Sequence, residues 1–378
     1  MMKPRLGWIV VPVVLAASGC GDVLTTPDAG GDVDAADVPD AATRVRLTLA
    51  ATGPGGVERS SPGTSCGTGC FEYDVGATVT LTPVAAPVAV HAAWTGACVA
   101  FDPTEPCALT LTADVTVGAS FACTADWVVD QATGDDKAAG TCGAAFRTIT
   151  RARGAATAGQ TIRVLPGTYE AATGESFPIS LDGVSLIGDE AGRGATTVIR
   201  ATDSNGVEIA GTVTIAGFWI TGANSGIMVS GTNAAATVRN NTLNGNSAGL
   251  WFSVGGTHLV TDNELADNSF HGIAHISGAP TVRYERNQIL RNVIGVETNS
   301  NGADFGGGAA GSTGGNTFSC NTRNDLWMSQ SEPMSATNNA WDHAPPVVGA
   351  DGGGVDIYPG ATTVITTTGA TQVGSPCL

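Results

Sequence analysis

The sequence is poor in charge, and in basic charge above all. Asp, Glu, Lys and Arg make up 13% of 378 residues, about half of the ~25% usual for globular domains. Only 17 side chains are basic against 34 acidic, a formal charge of -17, and Lys3 and Lys137 are the sole lysines. A surface this acidic repels phosphate backbones and anionic headgroups, which excludes nucleic acid as a partner. Long helices laced with ion pairs are excluded by the same scarcity. The apolar run at residues 6–19 is 14 residues long, short of the ~20 that a membrane span needs. What the chain has in excess is glycine, 52 residues, roughly twice the ~7% average. At ~100–200 residues per domain the length allows two or three domains.

Residues 1–5 carry Lys3 and Arg5, residues 6–15 are apolar, and small residues lead through Ala17, Ser18 and Gly19 to Cys20. Charge, then apolar core, then small residues is the order of a secretory signal, here residues 1–19. LAASGC resembles the lipobox of bacterial lipoproteins, with Ala17 where Leu is commoner. That resemblance implies cleavage before Cys20, lipid on its sulfur and amine, and a lipid bilayer as partner. Several acyl chains on one residue give stable anchoring. An ordinary secretory signal cut near Cys20 is the plainer alternative. Gly21 rather than Asp after the cysteine implies, by the sorting rule of such lipoproteins, an exported protein anchored in the cell envelope at the outer membrane. Residues 20–43 hold six Asp, two Pro and no basic residue, a composition that cannot order itself and reads as an extended acidic tether.

Eight cysteines remain after Cys20, an even number in a chain that has crossed a membrane, where disulfides are the default. They fall into Cys66 with Cys70, Cys98 with Cys107, Cys123 with Cys142, and Cys320 with Cys377. Spacing alone leaves the connectivity among the first four open. Zinc is disfavoured, because no CxxC knuckle or nearby histidine accompanies them. A bond between Cys320 and Cys377 closes a loop worth roughly 4 kcal/mol and folds the tail back over the end of the chain's last structural unit.

Residues 44–122 alternate with period two in VRLTLAATG, ATVTLTPVA and ALTLTADVTVGASFA, with Pro and Gly between. This predicts a small antiparallel β domain with one buried face. The succession SSPGTSCGTGC, YDVGATVTLTPVA, AAWTGAC and ADVTVGASFA resembles the internalin B-repeat-like module of bacterial surface proteins. A spacer or adhesion domain is what that resemblance implies.

Residues 123–378 carry an internal repeat. Gly226, Gly249, Gly272 and Gly295 are 23 apart, each followed by an aliphatic residue: Ile227, Leu250, Ile273 and Val296. Ile220, Leu243, Leu265 and Ile289 keep nearly the same spacing, as do two asparagine columns, Asn241, Asn263 and Asn287, and Asn246, Asn268 and Asn292. Twenty-three residues are too few for a βαβ unit but suit a rung of short strands. Stacked rungs place like above like, so aliphatics fill a continuous interior. Asparagine is expected at the bends, where it tolerates a left-handed backbone and can bond from rung to rung. The fold expected is all-β: a single-stranded, right-handed parallel β-helix of about 23 residues per rung, behind the small antiparallel domain. WVVDQATGDD, FRTITRA, GQTIRVLPGTYEAATGESFPI and VSLIGDEAG resemble the opening of a bacterial right-handed β-helix family of the pectate-lyase-like class, itself labelled as of unknown function. The resemblance implies a capping helix over residues 146–157, a first strand at residues 161–165, and a loop at DFGGGAAGSTGGNTF before Asn316, Phe318 and Asn321 resume the ladder.

Enzymes of the pectate-lyase-like class work on a long outward face with paired acids and often an Arg or Lys. Column alignment stacks Asn240, Asp262 and Arg286, with Thr242, Glu264 and Gln288 beside them. If a strand runs through both, Asp262 and Glu264 point the same way about 7 Å apart at ~3.4 Å per residue, a separation that two hydrolytic carboxylates can use. An ion pair between Asp262 and Arg286 on neighbouring rungs is the simpler reading. His271 and His275, about 13 Å apart on a strand, are too far apart to chelate one ion and are expected to be solvated or packed. GGGAAGSTGG lacks the lysine of a phosphate-binding loop and reads as a flexible loop. TGANSG lacks nucleophile-elbow spacing. Asp130, Asp135 and Asp136 either coordinate calcium or solvate their loop; no other cofactor is indicated. Trp251, two places past its glycine, is expected to face outward and to contact carbohydrate, with Trp219, Trp327 and Trp341 as further exposed candidates. Two functions follow: an envelope protein whose coil binds polysaccharide or protein without catalysis, or a polysaccharide lyase or glycoside hydrolase using Asp262, Glu264 and Arg286.

Overall fold

The computed structural model describes residues 44–374, except Pro87, Thr232, Asn233, Ala279, 330–332, Gly353 and 361–363. The signal sequence, Cys20, the acidic tether and Cys377 lie outside the described residues. Among the described residues no helix is long and apolar enough to cross a membrane.

Alternation in Arg44–Thr52 turns Val45 and Leu47 inward, where they meet Val79, Leu81, Trp94, Leu111 and Val117 in a core separate from that of the coil. A five-stranded sheet runs in the order Thr64–Gly67, Cys70–Asp74, Arg44–Thr52, Val115–Cys123, Ala89–Gly96; Gly55–Arg59, Ala77–Ala85 and Cys107–Leu111 form a second sheet. One neighbour pair departs from the antiparallel expectation: Arg44–Thr52 runs parallel to Val115–Cys123, with Leu47 opposite Val115. These are the first and last strands, joined through the whole module rather than by a hairpin, so nothing forces them antiparallel. Disulfides join Cys66 to Cys70, Cys98 to Cys107, and Cys123 to Cys142. The third ties the last strand of the module to the loop ahead of the helix Ile149–Ala155. Cys320 is also disulfide-bonded.

The coil is a right-handed parallel β-helix with, among the described residues, three parallel sheets of eight, nine and eight strands. Ile179, Val207, Ile227, Leu250, Ile273, Val296, Leu326 and Ile357 stack in register along one sheet, each at most 2% exposed. The 23-residue period holds only for the middle of this column; the last two steps are longer because loops bulge from the bends. Trp127–Val129 is the first strand, earlier than expected, and Thr161–Val164 pairs on it in parallel. Helix α1, Ile149–Ala155, closes this end, with Ile149 and Ala152 packed into the coil interior. Its first turn is satisfied by Thr148, whose hydroxyl accepts from the Arg151 N–H, and by buried Glu175, which accepts from the N–H groups of Ile149 and Thr150 at 2.7 and 2.9 Å. At the other end the tail extends the coil in parallel: Ile365–Thr366 pairs with Met334–Ser335, and Thr371–Gln372 with Ala340–Trp341.

The asparagine columns are hydrogen-bonded ladders. Side-chain amides of Asn241, Asn263, Asn287 and Asn316 each donate to the next amide oxygen at 3.0 Å, ending at Asn339. Asn246, Asn268, Asn292 and Asn321 form a second ladder. Contrary to expectation, these asparagines do not take the left-handed conformation. The residue before each does: Asn240, Asp262 and Arg286 at one bend, Gly245, Asp267, Arg291 and Cys320 at the other, with φ between 52° and 66°. The bend throws the following asparagine inward, where its amide satisfies backbone groups that the turn leaves without strand partners. The glycine-rich segment is pinned rather than free: the Asp304 carboxylate accepts from the N–H groups of Gly306, Gly308 and Ser312 at 2.9, 3.0 and 3.1 Å.

Candidate functional site

In one sheet the residues that follow the inward aliphatic column face away from the interior and fall in register. Met228, Trp251, Ala274, Glu297, Trp327 and Tyr358 form a single column, about 24 Å long at ~4.8 Å per step. Trp251 is half-buried, and its ring meets the edge of His271 at a centroid distance of 6.1 Å. Phe270, 44% exposed, lies on the same histidine at 4.1 Å. Higher up, Arg323 sits 4.0 Å over the Trp327 ring, which packs edge-on to Tyr358 at 6.0 Å. Asp351 orients Arg323 through paired hydrogen bonds. Flat apolar rings and fixed polar groups therefore share one strip, interrupted at Ala274, which is fully buried.

His271 and Glu297 form the polar centre of the strip. His271 Nε2 lies 2.6 Å from the Glu297 carboxylate, while its Nδ1 is buried with no protein partner. His271 is therefore neither solvated nor merely packed, as expected from the sequence, but paired with Glu297, which lies two 23-residue periods past Trp251. His275 is packed inside the coil: burial lowers its pKa to about 4, and it contacts the Tyr284 hydroxyl at 3.0 Å and the Pro280 carbonyl at 3.2 Å.

Asp262 and Glu264 do not share a strand. The strand Thr257–Thr261 ends before Asp262, which bends left-handed at φ 59°, and Glu264 opens the next strand. Arg286 grips both Asp262 oxygens at 2.8 Å, and the Thr261 hydroxyl donates to one of them at 2.7 Å. These bonds hold the Asp262 carboxyl below the usual carboxylate range, the wrong direction for a general acid. Asp267 and Arg291 repeat the clasp at the other bend, at 2.8 and 2.7 Å. The pair is thus a recurring inter-rung fastening, as the simpler reading had it.

Asp130, Asp135 and Asp136 are not gathered either. Asp130 accepts from Ala132 and Thr133, Asp135 from Lys137, and Asp136 from Arg147 and Thr148. Each caps its own stretch of backbone, and the three do not converge as cation ligands. Trp219 is half-buried, its indole N–H donating to Asn244. Trp341, expected to be exposed, is fully buried and stacks on Phe318 at 4.4 Å. A cleft of about 590 Å³ beside the glycine-rich loop has Asp304 as its only carboxylate among the described residues, already held by three N–H groups.

A family described as "Protein of unknown function (DUF1565)" matches residues 132–348, more than half of the chain. No curated protein matches it. A solved structure named "Rhamnogalacturonan lyase" aligns at 14% identity and a TM-score of 0.23, over 65% of this chain and 62% of that one.

Proposed function

The chain belongs to the DUF1565 family of proteins of unknown function, and we propose that it is a lipid-anchored, non-enzymatic protein of the bacterial cell envelope that holds polysaccharide on the aromatic strip of its coil. One observation carries the reading: Trp251, Glu297, Trp327 and Tyr358 stand in register on an outward column, flanked by Phe270, His271 and Arg323. Rings with an apolar face and a polar edge suit ligands that are apolar on one side and hydroxylated on the other. Charged groups fixed in direction by partners add specificity at little ordering cost. Catalysis is not part of the proposal. Glu297, Asp351 and Asp262 are each engaged by a basic side chain, which favours holding a ligand over exchanging protons with it at these three positions. The anchor rests on LAASGC at Cys20, with the acidic tether as spacer.

Affinity electrophoresis through gels containing acidic and neutral polysaccharides tests the strip. At least one polymer should retard the protein, and Trp251→Ala or Trp327→Ala should each weaken retention by about 1 kcal/mol, on the order of fivefold. Depolymerisation of the polymer, retention unchanged in both variants, or binding only to envelope proteins would overturn the reading. Labelling with a fatty acid tests the anchor: a protein that takes up no label and is freely secreted lacks it.

A further inference from the structure

The glycine column of the coil changes character at its far end. Gly226, Gly249, Gly272 and Gly295 have no room for a side chain: a Cβ on Gly272 would lie 2.6 Å from the Gly295 carbonyl oxygen. In the next two rungs the same position is Asp325 and then Asp356, since Leu326 stacks on Val296 and Ile357 on Leu326. Asp342, just past the strand Ala340–Trp341, reaches the same place. Ligand oxygens of the three aspartates lie within 4.8 Å of one another.

Asp325 is 2% exposed and Asp356 3%. The second asparagine ladder ends here: the Asn321 amide donates to Asp325 Oδ1 at 2.8 Å in place of a further asparagine. Asp325 Oδ2 is buried and has no protein partner. Asp356 accepts from the Val347 N–H at 2.6 Å and lies 3.0 Å from His343 Nδ1; Asp342 accepts from the Ser319 hydroxyl at 2.7 Å and the Cys320 N–H at 2.9 Å. His343 brings positive charge into contact with Asp356, and three carboxylates beside a buried Asp325 oxygen without a donor favour a further cation among them.

We propose that Asp325, Asp342 and Asp356 form a calcium site that fastens the closing turns of the coil to one another. Oxygens facing each other across Ca²⁺ at ~2.4 Å are about 4.8 Å apart, so the whole set fits one coordination sphere. An all-carboxylate set favours a hard cation over zinc or copper. Water fills the remaining positions from the half-exposed Asp342 side. The site does not depend on what the aromatic strip binds.

The test uses the full-length protein, chelated and then titrated with CaCl₂ while thermal unfolding is followed. The melting temperature should rise by several degrees and keep rising with calcium above the dissociation constant; terbium, used as a luminescent substitute, should compete with calcium. Asp325→Asn should abolish both responses. Because that buried variant can fail to fold, Asp342→Asn at the half-exposed ligand is the second: it should fold and need at least tenfold more calcium. A melting temperature indifferent to calcium with no terbium signal would mean that the acids share a proton instead. A calcium response unchanged in Asp342→Asn would place any bound ion elsewhere on this acidic chain. Either result overturns the proposal.

Discussion

Asn263→Ala cuts one rung of the first ladder and measures what the ladder contributes. Asn263 is fully buried. Its Oδ1 accepts from the Asn241 backbone N–H and amide, both at 3.0 Å; its amide donates to Val238, Thr261 and Asn287 at 2.8, 3.0 and 3.0 Å. Alanine leaves the Asn241 N–H without its partner in a dry interior, at ~2 kcal/mol, and loses four further bonds at a net ~0.5 kcal/mol each, about 4 kcal/mol in all. For a coil of this size 1 kcal/mol moves the melting temperature by ~2–4 °C, so the loss should be about 8–16 °C. Thermal unfolding by circular dichroism reads it, with Asn224→Ala, at an exposed asparagine just before the strand Ser225–Val229, as the control expected to stay within ~0.5 kcal/mol. If the two variants melt within ~2 °C of each other, the amides are ornaments on a coil held together by its aliphatic columns, and the reasoning fails.

Gly272→Ala should destabilise by about 1–3 kcal/mol, since its Cβ is driven to 2.6 Å from the Gly295 carbonyl oxygen and an overpacked site must shift; a denaturant midpoint equal to that of the parent would show that the rungs can part to admit a methyl group. Acid should weaken the coil through its buried histidines. Burial lowers His258 and His275 to about 4 from an unfolded value near 6.5, so between those limits the unfolded chain binds more protons and stability falls as pH falls. The loss should approach 3 kcal/mol per histidine at pH 4, visible in urea midpoints at pH 7.5 and 4.5, and should shrink in His258→Phe; equal midpoints in the parent would mean that neither ring is held neutral. Asp262→Asn should cost under ~1 kcal/mol, the usual worth of an exposed ion pair, and leave polysaccharide retention unchanged. Loss of retention in that variant would return Asp262 to the functional surface.

The repeat of glycine, aliphatic and asparagine every 23 residues determined the coil without any structure, because stacked rungs force like residues above like and so write the fold into the spacing. The same spacing placed Trp251 and Glu297 in one outward column. It could not place Trp327 and Tyr358, since the loops before them lengthen two rungs to 30 and 31 residues and carry the period out of step. Nor could it say which residue of each bend turns left-handed. Asn240, Asp262, Arg286 and Gly245 share no side-chain chemistry, and the conformation is set by the demand that the next asparagine point inward. That demand turned Asp262 from a catalytic candidate into a bend residue clasped by Arg286. The meeting of Asp325, Asp342 and Asp356 was settled only by tertiary structure, because residues up to 31 positions apart become neighbours only when the last rungs stack.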